Sequence, residues 1–186
     1  MADYKAIKGY TIQSVSSDNA VLTVGDIWYN STLGKLRVAK LAAGAWAAGG
    51  AINTARTTHG GAGTQTSALI FAGTPGVKDI TESYDGSSWT EVANVNTARW
   101  GIGGTGITTA ALAFAGQPPF TGKTEEFDGS SWTDVADIPQ AHNYGLNSVG
   151  TQSSALTAGG QHPSIGQLDL TWEWDKSVGA TSFDTT

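Results

Sequence analysis

Residues 81–90 read TESYDGSSWT, and residues 124–133, 43 positions later, read TEEFDGSSWT. Tryptophans fall in the same register at Trp46, Trp89 and Trp132. A second motif keeps the offset: NTAR stands at 53–56 and at 96–99, with a looser copy, PQAH, at 139–142. So does a third, GAGTQTSALIFAG at 61–73, matched by GTGITTAALAFAG at 104–116 and more loosely by SVGTQSSALTAGG at 148–160. Three motifs on a shared offset define a structural repeat, and its period sets the architecture before any local element is assigned.

Within a repeat, four short segments alternate with turn signals, the pattern of a four-stranded antiparallel sheet. In the copy at 96–138 the strands are expected at 100–105, 110–115, 123–127 and 132–138. Between the last two sits Asp128-Gly129-Ser130-Ser131. Aspartate there can bond forward to the backbone, and glycine accepts a left-handed conformation. The second strand is nearly all apolar, Ala-Ala-Leu-Ala-Phe-Ala, so both of its faces should be buried. Ala and Leu also favour helix, but runs this short between glycines cannot sustain one. A four-stranded unit of this length predicts the blade of a β-propeller.

Composition agrees. Charged residues make up 14% of the chain and it holds 25 glycines, which suits short strands joined by tight turns. The 186 residues allow one domain with a sizeable core and a short appended segment. A net charge of −6 argues against a protein that tracks phosphates or binds anionic membranes. The chain has no cysteine, which excludes disulfides and thiolate metal sites. No apolar run approaches the roughly 18 residues of a membrane span, and residues 1–10 lack a basic stretch followed by an apolar one, so a soluble chain without a signal peptide is expected.

The repeats resemble those of the kelch family. Gly73 and Gly116 stand at the family's glycine doublet, which Gly159-Gly160 keeps in full. Tyr84 and Phe127 take its tyrosine position, and Trp89 and Trp132 its tryptophan. Two of the doublets begin with alanine, and the copy containing Trp172-Glu173-Trp174-Asp175 lacks the terminal tryptophan. The resemblance runs from Leu41 to the C-terminus and implies an all-β, kelch-like propeller. Aromatic pairs are then expected to pack between adjacent blades. Arg56 and Arg99 should bond the carbonyls of a neighbouring blade, ligand contact being the alternative. Upstream, GDIWYNSTLGKLRV at 25–38 reads as a β-hairpin and looks like the segment that precedes the binding or repeat region of many phage fibre and virion proteins.

The organisation that follows is a docking or anchor segment at 1–24, with a frayed terminus as the alternative, and a kelch-like region at 25–186. The latter divides into a partial blade at 25–52 and repeats at about 53–95, 96–138 and 139–186. A closed propeller needs about four to eight blades. Either a strand near 180–183 completes a small ring, or other copies of the chain do, as a dimer or trimer.

Turns after strands one and three are nearly identical between copies, whereas those after strand two differ: 74–79, then QPPFTGK at 117–123, then QHPSIGQ at 161–167. The residue after the arginine motif varies too, as Thr57, Trp100 and Asn143. Scaffold positions should repeat, and a ligand site has no reason to. Trp100, Phe120, Tyr144 and His162 are therefore the candidate ligand-binding residues, while Trp46, Trp89, Trp132, Tyr84, Phe127, Arg56, Arg99, Gly73, Gly116 and Gly160 are structural repeat positions.

No catalytic residue, metal site or cofactor is expected. His59, His142 and His162 occupy different places in their repeats. No nucleophile elbow or phosphate loop occurs, and a DGSS turn offers few donors for calcium. Copper chemistry of some kelch-like propellers needs a cysteine this chain lacks. The expected role is a non-enzymatic phage virion protein, a tail-fibre or fibre-tip component in host attachment. Its partners would be other virion proteins through the N-terminal segment, its own copies, and a host-surface glycan or protein, with no nucleic acid and no membrane insertion. The alternatives are a capsid-decorating protein and a cellular kelch-type adaptor or glycan-acting enzyme.

Overall fold

The structure, a computed structural model, describes residues 12–18, 20, 21, 23–40, 43–143 and 148–176. Among them every helix or strand assigned is a strand, so the chain is all-β. It divides into two compact units, Met1–Ala48 and Gly49–Thr186.

In the first unit, β2 (Ile27–Asn30) and β3 (Lys35–Val38) form the hairpin read at 25–38, and β1 (Gln13–Val15) joins β2 in parallel. Part of the stretch read as an anchor thus belongs to this sheet. Asp18 is its clasp, accepting from Asn30 Nδ2 at 2.9 Å, Trp28 Nε1 at 3.1 Å and Arg37 Nη2 at 2.8 Å. Those donors, the Asn30 amide foremost, hold its carboxyl below the usual range. Trp28 and Asn30 are buried, so the distinctive GDIWYN wording encodes a small core.

The second unit follows the repeat. β4 (Gly60–Thr64), β5 (Ser67–Gly73), β6 (Lys78–Tyr84) and β7 (Trp89–Val92) make one antiparallel sheet in sequence order. β8 (Gly103–Ile107), β9 (Ala110–Phe114), β10 (Thr124–Phe127) and β11 (Trp132–Val135) make the next. Among the described residues the third copy is built differently. β12 (Ser148–Gly150), β13 (Ser154–Ala158) and β16 (Thr171–Asp175) form its sheet, while β14 (Gln161–His162) and β15 (Gly166–Gln167) turn the loop after β13 into a separate hairpin. A strand near 180–183 lies outside the described residues.

The first strands of the three sheets lie side by side, β4 against β8 and β8 against β12. Glycine permits this: a Cβ on Gly104 would stand 2.8 Å from Gly61 O and 2.9 Å from Gly61 N. Ser148 Oγ donates to Gly104 O at 2.7 Å, and Thr105 Oγ1 to Gly150 O at 2.8 Å, continuing the contact to the third sheet. The doublets are the second requirement. Ala72 and Ala115 take φ of 62° and 57°, followed by Gly73 and Gly116 at 110° and 114°; Gly159 and Gly160 repeat the pair at 74° and 116°. A Cβ on Gly73 would come within 2.8 Å of Thr57 O, and one on Gly160 within 2.9 Å of Asn143 O. Glycine is therefore fixed second, while alanine is tolerated first at about 1–2 kcal/mol of left-handed strain.

Between the first two sheets the core contains Leu69, Phe71, Val95, Ile102, Phe127 and Trp132. The Trp132 ring lies 5.0 Å from Phe71, edge-on at 66°, and 5.0 Å from Phe127. Its Nε1 donates to Ala93 O at 3.0 Å, as Trp89 Nε1 does to Gly50 O at 3.1 Å. Each tryptophan pins the connection that precedes its own sheet. Trp46 keeps the register but is wholly exposed, at 104%, and does not pack as its counterparts do.

Both NTAR arginines are buried against a glutamate two strands away. Arg56 Nη2 pairs with Glu82 Oε1, and Arg99 Nη1 with Glu125 Oε1, every side chain being 0% exposed. Arg56 also donates to Thr54, Ala72 and Ile80 carbonyls, and Arg99 to those of Thr97 and Ala115. The carboxylates receive the motif's own amides, Asn53 N at 2.7 Å and Asn96 N at 2.6 Å. The expected carbonyl bonds exist, but they run within the arginine's own repeat rather than to a neighbouring sheet. The reason is that the NTAR segment lies across its own sheet: Asn53 Nδ2 reaches Trp89 O and Asn96 Nδ2 reaches Trp132 O on the terminal strands.

Removing one member of a fully buried pair strands the other. Glu125→Gln should lower unfolding free energy by about 3 kcal/mol or more in urea titration, and the double change Arg99→Met with Glu125→Leu by less than the two single changes summed.

Candidate functional site

The ends of the sheets differ in kind. At one end the turns after the first and third strands abut, a Cβ on Gly86 falling 3.3 Å from Thr66 O and one on Gly129 3.5 Å from Thr109 Cα. Asp85 Oδ1 accepts from Ser87 N, Ser87 Oγ and Ser88 N, each at 2.8 Å, and Asp128 Oδ1 repeats this with Ser130 and Ser131. The serine amides and hydroxyls, first the Ser88 amide for Asp85 and the Ser131 amide for Asp128, hold both carboxyls well below the usual range. These aspartates build the turns.

At the other end, bridges pair Thr57 with Thr74, Trp100 with Gln117 and Asn143 with Gln161. Each variable residue after the arginine motif thus meets the first residue of the variable loop. Trp100 is half-buried there, and Phe120 is half-buried in the 117–123 loop of the same sheet. His162, also half-buried, lies in the β14–β15 hairpin, its Nδ1 taking Ser164 N at 3.2 Å. Tyr144 lies outside the described residues. The sequence-based candidates that are described therefore share one rim.

Sequence reasoning missed Glu82, Glu125 and a cleft in the third copy. The glutamates had a signal, since each is the second residue of the repeated TESYD and TEEFD words. In the third copy that word is TWEWD, with Trp172 at the glutamate position, and the arginine has become His142. Pro139 replaces the asparagine and has no N–H to offer a carboxylate. Donor, acceptor and cation have changed together. His142 and Asn143 are fully buried, and His142 Nε2, both Asn143 side-chain polar atoms, Thr157 Oγ1 and Trp172 Nε1 have no hydrogen-bond partner.

Beside them, between the second and third sheets, is a cleft walled by Phe114, Ile138, Leu156, Trp172 and Trp174, with Asp137 and Glu173 also lining it. Trp174 Nε1 donates to Gln152 O at 2.9 Å, which fixes that wall. Among the described residues, no three His, Cys, Asp or Glu side chains gather as a metal site would need.

No protein-family model and no curated protein matches the chain. Among solved structures, that of YjhT superposes with a TM-score of 0.55 at 11% identity, over 78% of this chain and 47% of that one. The likeness is one of fold, and the chain spans about half the length of that neighbour.

The DGSS turns generate a pH prediction. Their folded pKa values lie below the unfolded value of 3.8, so their contribution is complete above that value and fades as pH falls below it. Replacing both aspartates by asparagine should flatten the loss of stability between about pH 4 and pH 2, read as a weaker pH dependence of the urea midpoint.

Proposed function

We propose that the chain is a non-enzymatic structural and binding protein of a phage particle, a tail-fibre or fibre-tip component whose kelch-like propeller blades present a rim to the host surface. One observation carries this reading. The buried anchors repeat from copy to copy, while residues that differ meet at one rim, where Trp100 and Phe120 stand half-buried on one sheet. Aromatic rings held by a rigid scaffold suit the apolar faces of sugar rings or a protein hot spot, since they give contact area with little ordering cost. The hairpin wording at 25–38, resembling fibre and virion proteins, supports the particle setting, with the N-terminal unit as the part that docks on other virion proteins. A capsid-decorating role is the second reading. Electron microscopy of labelled chain on purified particles separates tail from capsid.

If the rim binds the host, replacing both Trp100 and Phe120 with alanine removes two contacts of about 2 kcal/mol each. Binding to host cells should fall at least tenfold while the circular dichroism spectrum is kept. Unchanged cell binding by the folded double variant would refute the role of the rim.

A further inference from the structure

In the first two sheets the residue opposite the buried glutamate is apolar, Ile70 across from Glu82 and Ala113 across from Glu125. Residues so paired stand side by side on one face of a sheet. In the third sheet the corresponding pair is Thr157 and Trp172, so a hydroxyl and an indole N–H have entered where the ion pair was lost. Thr157 Oγ1 and Trp172 Nε1 are both buried without a hydrogen-bond partner, and Thr157 is only 4% exposed. Both residues line the cleft between the second and third sheets, as does Pro139, which stands at the asparagine position of NTAR. An unmet buried donor weakens a scaffold, whereas a few polar groups converging in an apolar cleft are what fixes a ligand's orientation.

The chemistry of the pair selects the ligand. Trp172 Nε1 can only donate, and Thr157 Oγ1 can accept as well as donate. Neighbouring groups of these two kinds match the carbonyl and the N–H of a secondary amide. Phe114 and Ile138 supply apolar wall for a methyl group, and Trp174, whose N–H is spent on Gln152 O, offers its ring. The cleft encloses about 70 Å³, roughly half of the ~150 Å³ cavity that takes a six-membered ring. An acetyl substituent therefore enters, and the ring that bears it stays at the mouth. There Asp137 and Glu173, both lining the cleft and both exposed, accept hydroxyl hydrogens and repel anions. We propose that this cleft binds the acetamido group of a neutral N-acetylated amino sugar. Trp172 Nε1 donates to the amide oxygen, Thr157 Oγ1 accepts from the amide N–H, and the methyl packs on Phe114 and Ile138.

The cleft adjoins the variable rim. Phe114 and Thr124 both line it and face each other at the ends of β9 and β10, and the 117–123 loop joining those strands carries Phe120. That the sugar belongs to a host surface rests on the proposed function; the fit of the amide to the cleft does not.

The chain has seven tryptophans, so its indole N–H signals in a nitrogen-15 correlation spectrum form a small set, and loss of one signal in Trp172→Phe identifies that of Trp172. Titrating the full chain with methyl N-acetyl-β-glucosaminide should move this signal and saturate in the millimolar range or below. Methyl glucoside and methyl glucosaminide, which lack the acetyl group, should bind at least tenfold more weakly. Thr157→Val should weaken the N-acetyl sugar about fivefold or more with the circular dichroism spectrum kept. An unmoved Trp172 signal overturns the site, and so does equal binding of a sugar without the acetyl group. Tighter binding of N-acetyl-lysine amide than of the sugar overturns the choice of a sugar. The titration uses a sugar alone and the rim variant is read on cells, so failure of the cleft and failure of the proposed function are distinguishable.

Discussion

The buried arginine–glutamate pair is the constraint on which the first two sheets depend. Two ionised side chains at 0% exposure are expensive to desolvate, and the cost is offset only where nearly every donor and acceptor is met. Here the carboxylate takes the paired amides of the NT dipeptide, and the guanidinium takes carbonyls of the second and third strands or their flanks, with Arg99 Nη2 left without a partner. The segment before each sheet is thereby fixed to the middle of it. The residue after the arginine, Thr57 or Trp100, is delivered to the variable loop as a consequence. A rim free to vary is carried by an anchor that is not.

The third copy shows the same logic in the negative. Proline has replaced the amide donor, tryptophan the carboxylate and histidine the cation, so no charge is left stranded. Unpartnered polar atoms remain, on His142, Asn143, Thr157 and Trp172, and among the described residues the sheet has three strands. Apolar surface does part of the work that the ion pair does elsewhere: Leu112, Phe114, Ala115 and Ala155 form the second core, with Trp174 against it. The price is the cleft beside β16.

Much of this was legible in the sequence because repetition filters signal from accident. The 43-residue offset located the strands of the first two sheets to within a few residues, the DGSS turns, and the rim where Trp100 meets Gln117. What escaped has physical reasons. Glu82 and Glu125 are repeated, but a glutamate in a strand reads as a solvated residue unless its cation is known to cross to it. Strand three and the NTAR segment are 26 residues apart in the chain, a separation that only the fold closes. Trp46 misled in the opposite direction, since register assigned it a packed position and it is wholly exposed. The hairpin of β14 and β15 was hidden because a loop that departs from its counterparts carries no repeat to read it by.

Stability in this fold follows the ion pairs, and native-state hydrogen exchange tests that most directly. Amides of β5 and β9 should exchange only through global unfolding, and those of β13 at Leu156 and Thr157 roughly tenfold faster or more. Equal protection across the three sheets would contradict the claim that the buried arginine–glutamate pair holds the first two together.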